Sequence, residues 1–343
     1  MKSFIRVTVL KNNQFFKSVY GKLSLLLILI FTIMISLRFG SAHMSWADFL
    51  WALLRKEGSE TLSTILYSVR LPRILGAVLS GIGLSVSGVL LQSVTLNPLA
   101  SPNIIGVNAG AGLAVILTML FFPESLYIRP IIAFIGAFAT TALIVAIASR
   151  VGTSKSVVIL SGIAVTTLLN AGISFISYFD SDLLSSYNSF SVGGVSGVSI
   201  SELKMPLIII AVSLLTALVI SPKADVLCLG DSLALSLGVN VKVIRTLCLV
   251  IASASAAAVV SYAGLLGFVG LVVPHISRKL SGSSLKDLLI VSSLVGGILV
   301  TMADLFGRVL FAPSEIPVGI VMAFVGAPFL FYLLLRRKNN AEL

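Results

Sequence analysis

The chain has 343 residues, of which 57% are apolar and only 11% charged, with a formal net charge of +11. Soluble domains carry about 25% charged residues, so this chain has too little polar surface to coat a water-soluble globule. A cytosolic enzyme, a fibrous protein and a disordered chain are excluded, and an all-α polytopic membrane protein is left.

A spanning helix needs about 20 mostly apolar residues, and ten apolar runs are present. Residues 1–22 read as a cytoplasmic tail, because Lys2, Arg6, Lys11, Lys17 and Lys22 precede the first run, 23–40. No small-residue cleavage site follows, so this run is expected to stay as a span. The second run, 74–92, opens on Arg70-Leu71-Pro72-Arg73, with proline suited to a first helical turn. The two arginines have two open readings: snorkelling anchors, or a docking site for acidic side chains of an outer protein. Gly76, Ser80, Gly83 and Ser87 share one face of this run, and such a face lets two backbones approach closely in lipid.

The third run, 104–122, repeats the small-residue spacing at Gly106 and Gly110. Runs 130–149 and 157–179 flank the short loop Gly152-Thr153-Ser154-Lys155-Ser156. That loop lacks the glycine spacing of a phosphate-binding loop, and no G-x-x-x-x-G-K-[ST] occurs elsewhere. ATP hydrolysis is therefore not expected of this chain. After the sixth run, 205–221, the stretch 222–242 contains a short helix started by Asp231 and ended by Gly238. Leu229, Leu233 and Leu237 form one apolar stripe there, which on an aqueous face points to a partner groove or the membrane surface. Runs 243–262 and 264–277 follow, the second short and ending at Pro274-His275. Run 288–307 ends with Asp304 and Arg308, spaced to pair across one helical turn. The tenth run is 316–335, and 336–343 is a basic tail.

Ten spans between two cytoplasmic termini place 16 of the 24 basic residues inside, as the positive-inside rule requires. The charges stop at helix ends, which argues against a proton- or sodium-coupled carrier with midplane ionisable groups. His43 and His275 are too few for a metal cluster, and no H-E-x-x-H is present. Cys228 and Cys248 read as reduced structural thiols. The basic residues form no solvated stripe, so nucleic acid is not an expected partner.

These strings together resemble the FecCD-type permeases of ATP-binding-cassette (ABC) importers, from about Val69 to the C-terminus. The resemblance is carried by Arg70-Leu-Pro-Arg73, Gly88 to Gln92, Asn97-Pro98-Leu99-Ala100-Ser-Pro102, and Leu229-Gly-Asp231 to Leu237-Gly238. It continues through Gly267 to His275, Ala303-Asp304, Ala312-Pro-Ser-Glu315-Ile-Pro317-Val-Gly319 and Gly326-Ala-Pro328. It implies a type II importer fold like that of cobalamin permeases, with ten spans over 23–335. It also implies a second permease subunit, identical or paralogous, two cytoplasmic ATP-binding subunits and an extracytoplasmic binding protein.

By the same resemblance, Asp231, Ala234 and Gly238 belong to the ATPase-coupling helix of the 222–242 loop, where Leu233 and Leu237 of the apolar stripe provide contact. Arg70, Arg73 and Arg308 receive glutamates of the binding protein, and Gly152, Thr153 and Ser154 form a cytoplasmic gate. No cofactor is expected in this chain, because ATP and Mg belong to the partner ATPase. The expected place is a bacterial inner membrane and the expected cargo an iron-siderophore, haem or cobalamin. A secondary carrier or channel acting alone is the alternative, and an ABC exporter subunit ranks below both.

Overall fold

The computed structural model describes residues 15–40, 44–54, 60–125, 127–151 and 155–341, and every element of regular structure among them is helical. In chain order these are α1 (Val19–Arg38), α2 (Trp46–Leu53), α3 (Glu60–Thr95) and α4 (Val107–Phe121). Next come α5 (Arg129–Val151), α6 (Lys155–Phe179), α7 (Ser181–Val192) and α8 (Ile200–Leu227). The series closes with α9 (Asp231–Ser236), α10 (Val241–Ala263), α11 (Val269–Ser281), α12 (Leu285–Val309) and α13 (Val318–Ala341).

Each of the ten apolar runs lies in or overlaps one helix. Among the described residues, seven helices (α1, α3, α5, α6, α8, α10 and α12) contain a stretch long and apolar enough to cross a membrane. Helices α4 and α13 offer shorter apolar stretches, and α11 has 13 residues. Helices α2 and α7 had no counterpart among the sequence expectations.

Helix starts follow side-chain chemistry. Ser18 caps α1 by accepting from the Gly21 N–H at 3.2 Å. Capping boxes, in which cap and third residue each satisfy the other's backbone N–H, begin α2 (Ser45 with Asp48) and α8 (Ser199 with Glu202). Asp180 caps α7 and Asn240 caps α10. Near its start α3 widens into a π-helical turn over Ile65–Arg70. That turn shifts the helical register and brings Arg70 to face inward, where it is 4% exposed.

The centre of the fold is α3, packed between α10, α11 and α12, and two separate small-residue faces make this possible. On one, a Cβ at Gly83 would stand 2.6 Å from Val259 of α10. Ser255 of α10 donates to the Gly83 carbonyl at 2.9 Å, and Tyr262 to that of Gly76 at 3.1 Å. This is the face built from Gly76, Ser80 and Gly83. The second face was not anticipated. A Cβ at Gly81 would overlap the Gly296 carbonyl of α12, and one at Gly88 would overlap the Gly270 carbonyl of α11. Side chains fill the first face, whereas backbone touches backbone along the second, the close approach that small residues permit in lipid. Gly110 of α4 meets Gly136 and Thr140 of α5 in the same way.

Candidate functional site

At one end of the bundle, the end expected outside from the charge distribution, three arginines converge. Arg70 is supplied by the π-helical turn, Arg73 by the next turn of α3, and Arg308 by the last turn of α12. Arg73 donates through Nε to Asp304 at 2.9 and 3.2 Å, and through Nη1 to Glu315 at 2.5 Å. Asp304 also faces Arg308 Nε at 3.0 Å, so the anticipated pairing across one turn of α12 is present. Arg70 donates to the carbonyls of Leu37 and Arg38, both at 2.7 Å. Arg308 donates to Ser36 Oγ at 2.5 Å and to the Phe39 carbonyl at 3.2 Å. These acceptors include the last carbonyls of α1, which lack partners within their own helix and carry its negative dipole end.

The three arginines expected to receive glutamates of a binding protein are held inside the single chain. Arg70, Arg73 and Arg308 are only 4%, 6% and 2% exposed. Asp304 is 1% exposed, and a buried carboxylate of this kind is tolerable only with close cationic partners. The arginines tie α1, α3 and α12 together beneath the rim. Glu315 differs, because its side chain is still 29% exposed. The sequence offered Asp304 with Arg308 but gave no sign that Glu315, 242 positions after Arg73, closes on it.

Beside this cluster lies a cavity of about 370 Å³ bounded by Arg73, Ser189, Ser196, Tyr262, Glu315 and neighbours. Tyr262 is fixed there by Ser80 Oγ at 3.0 Å and the Gly76 carbonyl. Helices α7 and α6 carry a polar strip that includes Ser189 of the cavity wall. Ser189, Asn188, Ser186 and Ser185 of α7 are exposed, as are Ser174, Asn170 and Thr167 of α6. Leu183 and Tyr187 hold α7 to the body, with the Tyr187 hydroxyl filling the space beside Gly112 of α4. Sequence reasoning missed this strip. Its signal was the recurrence of Thr167, Asn170 and Ser174 at spacings of three and four in an otherwise apolar run.

At the opposite end, α9 stands as a separate short helix between Gly230 (φ 109°) and Gly238 (φ 76°). Leu229, Leu233 and Leu237 are 61%, 56% and 62% exposed, and Leu235 joins them at 63%. The apolar stripe is therefore present on the surface. Of the anticipated coupling residues, Ala234 turns inward, while the Asp231 side chain stays 45% exposed. Ala234 is fully buried and anchors the helix. Asp231 accepts from Arg245 of α10 at 2.7 Å. Nearby, the Leu285 N–H at the start of α12 donates to Asp225 at 2.9 Å, and Lys22 donates to Asp287 at 2.6 Å. The anticipated gate, Gly152, Thr153 and Ser154, lies outside the described residues. Neither Cys228 nor Cys248 is in a disulfide, and the Cys228 thiol faces the Ser93 carbonyl at 3.8 Å; the described residues contain no grouping of metal-ligating side chains.

Comparison with known proteins bears on the whole of this architecture. Residues 28–336 match the model of the FecCD transport family. The Fe(3+)-citrate import system permease protein YfmE of Bacillus subtilis is 38% identical over 316 residues, covering 91% of this chain and 93% of its own length. The haem-iron transport system permease protein IsdF of Staphylococcus aureus is 36% identical over 318 residues, covering 93% and 96%. A structure described as an inward-facing conformation of a metal-chelate type ABC transporter superposes with a TM-score of 0.83 at 30% identity, covering 92% of this chain and 98% of the other.

Proposed function

This chain belongs to the FecCD transport family, and from that premise we propose that it is the ABC-importer permease that carries an iron chelate inward across a bacterial inner membrane. The observation that carries the reading is the set of exposed polar side chains on α6 and α7, among them Asn170, Ser174 and the cavity residue Ser189. The Thr167 hydroxyl is satisfied by the Ile163 carbonyl at 2.9 Å, but lipid gives the Asn170 amide no partner, so this face belongs against a water-filled path or another subunit. A second permease subunit facing this strip completes the path.

ATP is hydrolysed on two separate cytoplasmic subunits. Leu229, Leu233, Leu235 and Leu237 supply the apolar contact with them, while Gly238 allows the left-handed turn that ends α9. Gly152, Thr153 and Ser154 close the path at this end. The outer end receives an extracytoplasmic binding protein that delivers the chelate. Of the three arginines, Arg73 is the one with an exchangeable partner, because a carboxylate of the arriving protein can replace partly exposed Glu315. Arg70 and Arg308 hold α1 in place and keep the rim positive, which favours register and on-rate.

The decisive experiment is uptake of radiolabelled ferric chelates into proteoliposomes holding the chain, its ATP-binding partners and the binding protein. Uptake should require ATP and be lost when the ATPase is omitted. Chelate uptake by the permease alone, independent of ATP, would establish the carrier reading instead.

A further inference from the structure

Helix α2 carries both tryptophans of the chain and turns an uncharged face away from the protein. Phe49 and Ala52, 2% and 0% exposed, pack it onto Leu37, Leu66 and Ile74 at the ends of α1 and α3. On the opposite side Trp46, Leu50, Trp51 and Leu54 are 62%, 51%, 51% and 66% exposed. The one acidic side chain of the helix, Asp48, is held by its capping box with Ser45. A face of this kind is at odds with water and equally at odds with a deep span, since the helix has eight residues.

We propose that α2 is an interfacial helix, seated by its Trp46, Leu50, Trp51 and Leu54 face in the headgroup and upper acyl region of the outer leaflet. Three observations select lipid as the occupant. First, α2 joins two spans at their shared end, which puts it at the boundary of the hydrocarbon layer. Second, its apolar face continues an exposed stripe of α1 formed by Leu27, Phe31 and Met34, followed by Phe39. Third, the Arg38 guanidinium stacks 4.4 Å from the Phe39 ring and 4.9 Å from the Trp46 ring. Tryptophan with a neighbouring cation is the side-chain chemistry of the membrane–water interface. The inference rests on α1 and α3 being spans and on the charge-derived orientation; it does not depend on the cargo or on transport.

Because Trp46 and Trp51 are the only tryptophans, fluorescence of the full chain reports on α2 alone. The chain is reconstituted in phosphatidylcholine–phosphatidylglycerol vesicles containing lipids brominated at shallow or deep acyl positions. Shallow bromines should quench the emission at least twofold, deep bromines less, and aqueous iodide little. Trp46→Phe and Trp51→Phe should each remove part of the signal and leave the depth of the remainder unchanged. Strong iodide quenching without bromolipid quenching would overturn the proposal. So would shielding that appears only at high protein-to-lipid ratio, which assigns the face to a second copy. Shielding that appears only on adding the binding protein would assign the face to docking and equally overturn it.

Discussion

Helices α3 and α6 are both long and apolar, yet 83% of the membrane-crossing stretch of α3 is buried inside the chain against 22% of that of α6. The difference lies in where each puts its small and polar residues. In α3, Ser85 donates back to the Gly81 carbonyl at 2.6 Å, while Gly76, Gly81, Gly83 and Gly88 admit neighbouring helices on two sides. In α6, Asn170 and Ser174 face outward on the single chain. Small residues in the first helix serve cohesion; polar residues in the second lie exposed on the single chain. Overall apolarity does not separate a helix at the centre of the fold from one at its surface.

The sharpest way to break this contrast is to crowd the two helices in turn. Gly81→Leu would drive a side chain into the Gly296 backbone, and overpacking costs about 1–3 kcal/mol, with the upper end expected where the obstacle is backbone. It should abolish recovery of folded protein from membranes, measured by monodisperse elution in detergent. Asn170→Leu should elute as wild type and lose chelate uptake. Equal damage from both substitutions would erase the distinction between the helices.

Asp304→Ala comes next, because it leaves Arg73 and Arg308 without their shared buried carboxylate. Breaking a buried ion pair from one side costs about 3–5 kcal/mol, and thermal unfolding in detergent should show that loss. Asp304→Asn should be milder. Leu233→Glu together with Leu237→Glu changes two exposed positions and should leave the melting profile unmoved, while ATP hydrolysis no longer drives uptake.

A smaller effect is expected from Glu315→Gln, which removes the exchangeable partner of Arg73. Binding-protein affinity should rise several-fold at low salt, measured by surface plasmon resonance, and Arg73→Gln should lower it. Smallest in energy is the topology test. A cysteine at Lys223, on a helix end that is exposed, should resist an impermeant thiol reagent in intact cells and react after lysis.

The ten apolar runs, the short helix beginning at Asp231 and the Gly76–Gly83 face were legible in the sequence because each is a local spacing. The Gly81 and Gly88 contacts were not, since their partners Gly296 and Gly270 lie about 200 positions away and glycine in an apolar run has no preferred neighbour. Arg70, Arg73 and Arg308 were recognisable as a set, whereas their burial was not. That depends on the π-helical turn over Ile65–Arg70, on carbonyls at the end of α1, and on Glu315 folding back. Ala234 shows the same limit, because a six-residue helix does not declare which of its sides rests on the body.

The contact of Gly81 with Gly296 and of Gly88 with Gly270 also bears on how the transporter moves. Side chains can slide past one another by changing rotamers, but two backbones in contact have no such gearing. Helices α3, α11 and α12 should therefore travel as one stiff beam through the transport cycle. Bending would then fall to thinly supported parts such as α6 and α7, where opening a passage need not break the interior. The glycine contacts thus set where this machine is allowed to hinge.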